Sequence, residues 1–347
     1  MARLTWLILA GVSSVATVAA GESIVIFDAV PIELDREISD RTPRDGYVVA
    51  DLGRTVERTL ELPPLPDDQR SARRIVATVE VDPVLTQGED GVRPADPWTR
   101  LGSVTVLRRG EADDGVIEVE LLRFVTGFGG AGTFSQDVTT LAPLLAGPTT
   151  LRLAVSTFRK PGWKVTLTLT YSRQGLGYRR PVWARPVFFE RAANSDNHLL
   201  RASIEVPAGV AQPRLRVIST GHASDGVGGD EFVSRTHVLR IDGKQIIRWR
   251  PWSEVGGTLR HLNPSSGRVE IDGRVLWSSD LDRSGWHPGQ VVSPLLVPLP
   301  ELRPGRHRIE LEILDIRPPD ASGARGYWRV SAVLVADEPW PKEAGGE

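Results

Sequence analysis

The chain has 347 residues, no cysteine, one methionine, and 42 basic against 44 acidic residues for a formal net charge of −2. That length suits about two domains of ordinary size, and the intermixed charges argue against a nucleic-acid partner or a polybasic membrane surface. Without cysteine there is no disulfide, no thiol nucleophile and no thiolate metal ligand, and the only methionine is Met1.

Residues 1–20 read as a secretory signal: Arg3 is the positive n-region, an apolar run follows, and Val18-Ala19-Ala20 fits the small-residue cleavage rule. The expectation is an exported chain, periplasmic or extracellular, beginning near Gly21. No later run reaches the ~20 apolar residues of a membrane span, so no membrane association is expected after cleavage. From there the chain reads as strands over 24–30, 56–62, 74–81, 103–107, 116–125, 150–158 and 163–171. In the last of these Val165, Leu167, Leu169 and Tyr171 alternate with Thr166, Thr168 and Thr170, the period of a half-buried strand. Only 137–145 has the character of a short helical turn.

Around 172–181 the composition turns polar and glycine-bearing, which sets a boundary between a first domain, 21–175, and a second, 176–338, with a polar tail over 339–347. The second series runs over 182–189, 199–206, 214–219, 237–241, 306–314 and 327–336, with hairpin turns at Asp242-Gly243 and Asp272-Gly273. Many short strands with almost no helix define an all-β chain of two side-by-side antiparallel β-sandwich or jelly-roll domains.

One loop stands out. Thr220-Gly221-His222-Ala223-Ser224-Asp225-Gly226-Val227-Gly228-Gly229-Asp230-Glu231-Phe232 packs four glycines and three carboxylates between two strands and runs on to Arg235 and His237. It reads either as a polar site on a rigid sheet or as a solvated hairpin. The motif through Arg235-Thr236-His237, together with Asp282-Arg283-Ser284-Gly285-Trp286-His287-Pro288-Gly289, resembles the second domain of the peptide-N-glycosidase F family. Ile26-Phe27-Asp28, Asp96-Pro97-Trp98-Thr99-Arg100, Phe124-Val125-Thr126, Asp137-Val138-Thr139 and Leu144-Leu145 with Gly147 resemble first-domain elements of that family in the right order.

The resemblance implies two jelly rolls with an active site between them, acting on the amide that joins asparagine to the first N-acetylglucosamine of an N-linked glycan or glycopeptide. It implies neither metal nor cofactor. Glu231 stands at the family's second-domain glutamate, and Arg100 and Arg283 match arginines lining the cleft. Asp230, His222 and Asp225 are candidate helpers, and Trp98, Trp252 and Trp286 are candidate sugar-contacting aromatics.

Two departures matter. The family's principal catalytic aspartate falls at Thr99, and a third site acid falls at Ser156. Asp96 lies three residues from Thr99, an odd offset that faces it away on a regular strand. His287 and His261 fall near a family disulfide; a shared metal ion is one reading, ordinary packing the one adopted. The paired jelly rolls are also similar in fold to copper-dependent peptide-hydroxylating monooxygenases, but the histidines here are scattered. Two functions remain open, an amide hydrolase resting on Glu231 and a non-catalytic glycan- or protein-binding module that keeps the cleft.

Overall fold

A computed structural model describes residues 21–38, 41–65, 73–109, 115–173, 179–223, 229–271 and 273–339. Residues 1–20, read above as a secretory signal, 174–178 at the expected domain boundary, Asp225 in the focal loop, Asp272, and 340–347 of the tail lie outside the described residues. No helix among the described residues is long and apolar enough to cross a membrane.

The first sandwich pairs a four-stranded sheet, in the order Glu22–Ile32, Trp163–Arg173, Arg73–Pro83, Gly132–Asp137, with a seven-stranded one. The latter runs Thr42–Arg44, Tyr47–Ala50, Thr55–Leu62, Gly147–Val155, Leu101–Arg109, Val116–Val125, and ends on Gln290–Val291, contributed from the far half of the chain. The second sandwich pairs Pro181–Ala193, Gly326–Asp337, Ala211–Ala223 and Leu295–Pro298 with Leu199–Val206, Gly305–Ile313, His237–Ile241 and Lys244–Trp249. All these pairings are antiparallel. The expected alternation over 163–171 is realised: Val165, Leu167 and Leu169 are fully buried while the threonines between them are half-exposed. The turn at Asp242-Gly243 takes the two positive φ values of a type I′ hairpin, 51° and 82°. The 137–145 turn is a 3₁₀ segment, Thr139–Leu144.

Strand Val116–Val125 departs from alternation, being buried without a break from Val119 to Val125. One face fills the first core; the other meets the second domain. Charged side chains inside such a seam are tolerable only when paired, and here they are. Arg123 Nε and Nη2 clamp both oxygens of Glu120 at 2.7 and 2.6 Å. Arg123 Nη1 then donates across the seam to Thr220 Oγ1 at 2.9 Å and to the Arg329 carbonyl at 2.7 Å. Burial raises the Glu120 pKa, but the Arg123 charge and the Arg123 and Ser331 hydrogen bonds outweigh it and hold the carboxyl below its usual range. Beside this knot lies an apolar seam of Val125, Ile218, Trp286 and Val292, with Leu101 packed against it. Gly127 abuts the second domain so closely that a Cβ there would stand 2.0 Å from the Leu262 carbonyl oxygen.

Candidate functional site

The loop carrying Thr99 leads into strand Leu101–Arg109 and is held by Asp96. That carboxylate is fully buried. Its oxygens accept from Arg100 Nε and Nη2 at 2.7 and 2.8 Å, Thr157 Oγ1 at 2.6 Å, Trp163 Nε1 at 3.3 Å and the Trp98 amide at 3.4 Å. With every lone pair directed at a donor, Asp96 is a tie that shapes the loop and has no capacity left to activate water. Thr99 is half-exposed on the loop's outer side. Ser156 sits alongside, because its amide and hydroxyl both donate to the Leu101 carbonyl, at 2.9 and 3.1 Å. Arg100, expected in the cleft, spends its guanidinium on Asp96 and lies over the Phe158 ring at 5.0 Å. Trp98 and Phe158 expose large apolar faces, 56% and 61% accessible. Phe158, read from sequence only as the end of a strand, lies beyond that strand's last residue, Val155.

In the second domain strand Ala211–Ala223 runs into the start of the focal loop, residues 229–232 form a turn, and the loop's two described acids part company. Asp230 is fully buried and points inward, accepting from Arg235 Nε and Nη2 at 3.0 and 2.8 Å and from Trp328 Nε1 at 2.9 Å. The expectation that Asp230 helps catalysis is therefore revised: it anchors the loop. Gly221 is required there for close approach, since a Cβ would fall 2.7 Å from the Asp230 carbonyl oxygen and 2.9 Å from Trp328. Glu231 keeps 19% of its side chain accessible and, among the described residues, is paired with Arg283 Nε at 3.1 Å. Burial raises the Glu231 pKa above its usual value, exceeding the opposing pull of the Arg283 charge and hydrogen bond. Arg283 itself is 1% exposed, bound to the Leu281 carbonyl and stacked over the Phe232 and Trp286 rings at 4.9 and 5.1 Å. It orients Glu231 from behind.

Trp286 is likewise revised from sugar contact to packing, because it is 4% exposed in the seam with Nε1 donating to the Gly221 carbonyl at 2.8 Å. His222 is half-buried between Trp286 and Tyr327, hydrogen-bonded to Thr220 Oγ1 at 2.8 Å. Burial, then the Arg123 and Arg329 charges, push its imidazole down to about 3, so it stays neutral. Trp252 is half-buried. His287 is fully buried with Nε2 against the Leu281 carbonyl at 3.1 Å, whereas His261 is exposed. No group of three or more metal-ligating side chains occurs among the described residues.

Beside Ser156 the seam opens into a cleft of about 560 Å³. The first domain supplies Ser103, Thr105, Glu57 and Arg152; the second supplies Phe189, Glu190 and Arg329. Thr99 and Glu231 do not line this cavity. Sequence reading missed the charged pairs in it, Glu57 with Arg41 and Arg152, and Glu190 with Arg329. The Glu57–Arg152 and Glu190–Arg329 pairs join strands far apart in the chain, and no local pattern marks them.

A measurable consequence follows from His237 beneath the loop. Its Nδ1–H donates to the Arg235 carbonyl at 3.3 Å and its Nε2 accepts from Ser219 Oγ at 2.8 Å, the pattern of a neutral ring. Burial pushes it down to about 3 from 6.5. The unfolded histidine takes up a proton that the folded one refuses. Stability present above about pH 6.5 is therefore lost as pH falls toward 3, by about 1.4 kcal/mol per pH unit from this group. His237→Gln is expected to flatten the fall of Tm between about pH 6 and 4; an unchanged slope in thermal melts counts against this account.

Together the fold and seam define a double jelly-roll protein with a polar cleft between its domains. The family model described as peptide-N-glycosidase F, C terminal, matches residues 191–335. The match lies within the second domain, and it is a likeness of that domain to the peptide-N-glycosidase F family. The solved structure of PNGF-II matches with a TM-score of 0.77 at 22% identity, covering 94% of this chain and 66% of that one. Recombinant peptide:N-glycanase F matches at 0.69 and 19% over 94% of this chain and 98% of its own. PNGase F, described as a glycosylasparaginase from Flavobacterium meningosepticum, matches at 0.67 and 18% over 94% and 98%. At these identities the likeness is one of fold, and the chain spans 66% of the length of PNGF-II. No curated protein matches the chain.

Proposed function

We propose that the chain binds an N-linked glycan or glycopeptide at the domain seam and hydrolyses an amide there. The bond is the asparagine–N-acetylglucosamine linkage or a related glycoconjugate amide, with Glu231 handling the proton. The observation that carries this reading is the state of Glu231: accessible, paired with Arg283, and raised in pKa by burial. A raised carboxyl pKa favours the protonated form that a general acid needs. In the reaction, water adds to the amide carbon and gives one proton to solvent, the C–N bond breaks, and the Glu231 proton goes to the departing nitrogen; the carboxylic acid formed then returns a proton to Glu231, leaving a carboxylate and a glycosylamine. Trp98 and Phe158 offer exposed aromatic faces for a sugar ring to lie on. Export rests on the composition of residues 1–20.

A second reading, a binding module without catalysis, is favoured by one feature: Thr99 and Ser156 present hydroxyls where a paired acid is needed, and Asp96 is locked away. Release of glycan from a denatured N-glycopeptide, with calorimetric titration of the same glycopeptide, separates the two. The hydrolase reading expects release that falls ~10²–10⁴-fold in Glu231→Gln with binding retained. Saturable binding with no release in the unaltered protein establishes the second.

A further inference from the structure

We propose that a second crevice between the domains is a binding site for an oxyanion, either free or carried on a sugar. Its volume is about 690 Å³ and it shares no lining residue with the cleft at Ser156. Gln136, Asp137 and Thr139 form the first-domain wall; Arg214, Arg216 and Asp337 are on the second-domain wall. The inference stands apart from the proposed hydrolysis, since its test involves no bond cleavage.

The charge inventory points to an anion. Arg216 is 2% exposed, and its Nη1 and Nη2 donate to two neutral acceptors, the Glu120 and Leu121 carbonyls, at 3.0 and 2.7 Å. The nearby Glu120 carboxylate is already clamped by Arg123 and Ser331. Arg216 thus lines the crevice with no carboxylate at hydrogen-bond distance, in a low-dielectric wall where charge is costly to leave unmatched. Burial pushes this guanidinium down to about 10, so it remains cationic at neutral pH.

Arg214 adds a second donor: Nη2 binds Asp337 Oδ1 at 2.5 Å, while its buried Nε has no partner. Arg179 also lines the crevice, and Arg74 sits on Asp137 at 2.8 Å. With Arg74 set against Asp137 and Arg214 against Asp337, the Arg216 charge is left to neutral carbonyl partners. Planar guanidinium forks match carboxylate and sulfate geometry. The volume has room for on the order of twenty waters at ~30 Å³ each, enough for a sugar ring, with Gln136 and Thr139 placed to meet its hydroxyls.

The test is isothermal titration calorimetry of the full chain with inorganic sulfate, glucuronate and neutral N-acetylglucosamine, at matched ionic strength. Saturable binding of sulfate, glucuronate or both is expected, and none of N-acetylglucosamine at this crevice. Asp337→Asn removes the competing carboxylate and frees Arg214 Nη2, so it is expected to tighten anion binding by about threefold or more. The double variant Arg214→Gln/Asp337→Asn avoids stranding Asp337 and is expected to weaken binding about tenfold relative to Asp337→Asn. Sulfate without glucuronate identifies a free anion as the ligand, and glucuronate without sulfate a sugar acid. No saturable heat from either anion, or equal affinity in all three proteins, overturns the proposal.

Discussion

Asp96→Ala is expected to lower the unfolding free energy by about 3–5 kcal/mol, the cost of breaking one partner out of a buried charge pair. The side chain is fully buried, and its removal strands Arg100, 12% exposed, together with the Thr157 hydroxyl and the Trp163 indole N–H, both fully buried. Asp96→Asn fares little better, because its amide N–H₂ would face donors. Asp51→Ala is the control. That carboxylate is 54% accessible and pairs with Arg54 at 2.6 Å, a surface pair whose loss costs about 0–1 kcal/mol. Urea denaturation of the three proteins measures the contrast; an Asp96→Ala midpoint indistinguishable from that of Asp51→Ala would refute the assignment of Asp96 as a structural tie. The result also bears on function, since the same hydrogen bonds that stabilise the fold hold the loop on which Thr99 is displayed.

Asp96 also shows where sequence reading reached its limit. The parity argument assumed a regular strand, but the segment is a loop, and Asp96 is held by Trp163 and Thr157, which lie more than sixty positions further along the chain. Strands that face one core and solvent were legible by their period, as over 163–171, and the Asp242-Gly243 turn by its φ > 0 requirement. Edge strands such as Thr42–Arg44 and Lys244–Trp249 were not, because charged and exposed residues are what edges carry. Val116–Val125 was placed correctly, yet the meaning of Glu120 and Arg123 within it was hidden. A strand covered on both faces has no alternation to read, and the second face exists only once the domains have met. The focal loop showed the same division at finer grain. Adjacent Asp230 and Glu231 have like chemistry in sequence, and only the packing of Trp328 and Arg235 sends one inward while the other stays accessible.

That division sets the largest expected change in activity. Thr99→Asp is expected to raise amide hydrolysis by ~10²–10⁴-fold, the usual worth of a positioned acid–base group, or about 3–5 kcal/mol of barrier. The position is half-exposed, so a carboxylate there needs no buried partner and can ionise. The backbone beneath it is already fixed: the Arg100 amide donates to Thr126 Oγ1 at 2.8 Å, and the Thr126 amide returns to the Arg100 carbonyl at 2.9 Å. An aspartate on such a loop is held in place by the scaffold, which is what makes a base effective at abstracting a proton from water. Ser156, tied to the Leu101 carbonyl next door, is the companion position, and Ser156→Glu alone is expected to add less, because it leaves the threonine in place. The readout is initial rate of glycan release from a denatured N-glycopeptide, with binding of the same peptide measured for each variant. A rate rise in Thr99→Asp at unchanged binding means that the cleft still orients the amide and lacks only the base. Unchanged rates in Thr99→Asp, Ser156→Glu and their double variant, with binding intact, mean that the seam holds glycans in a pose no acid at these positions can serve, and the chain is then a binding module.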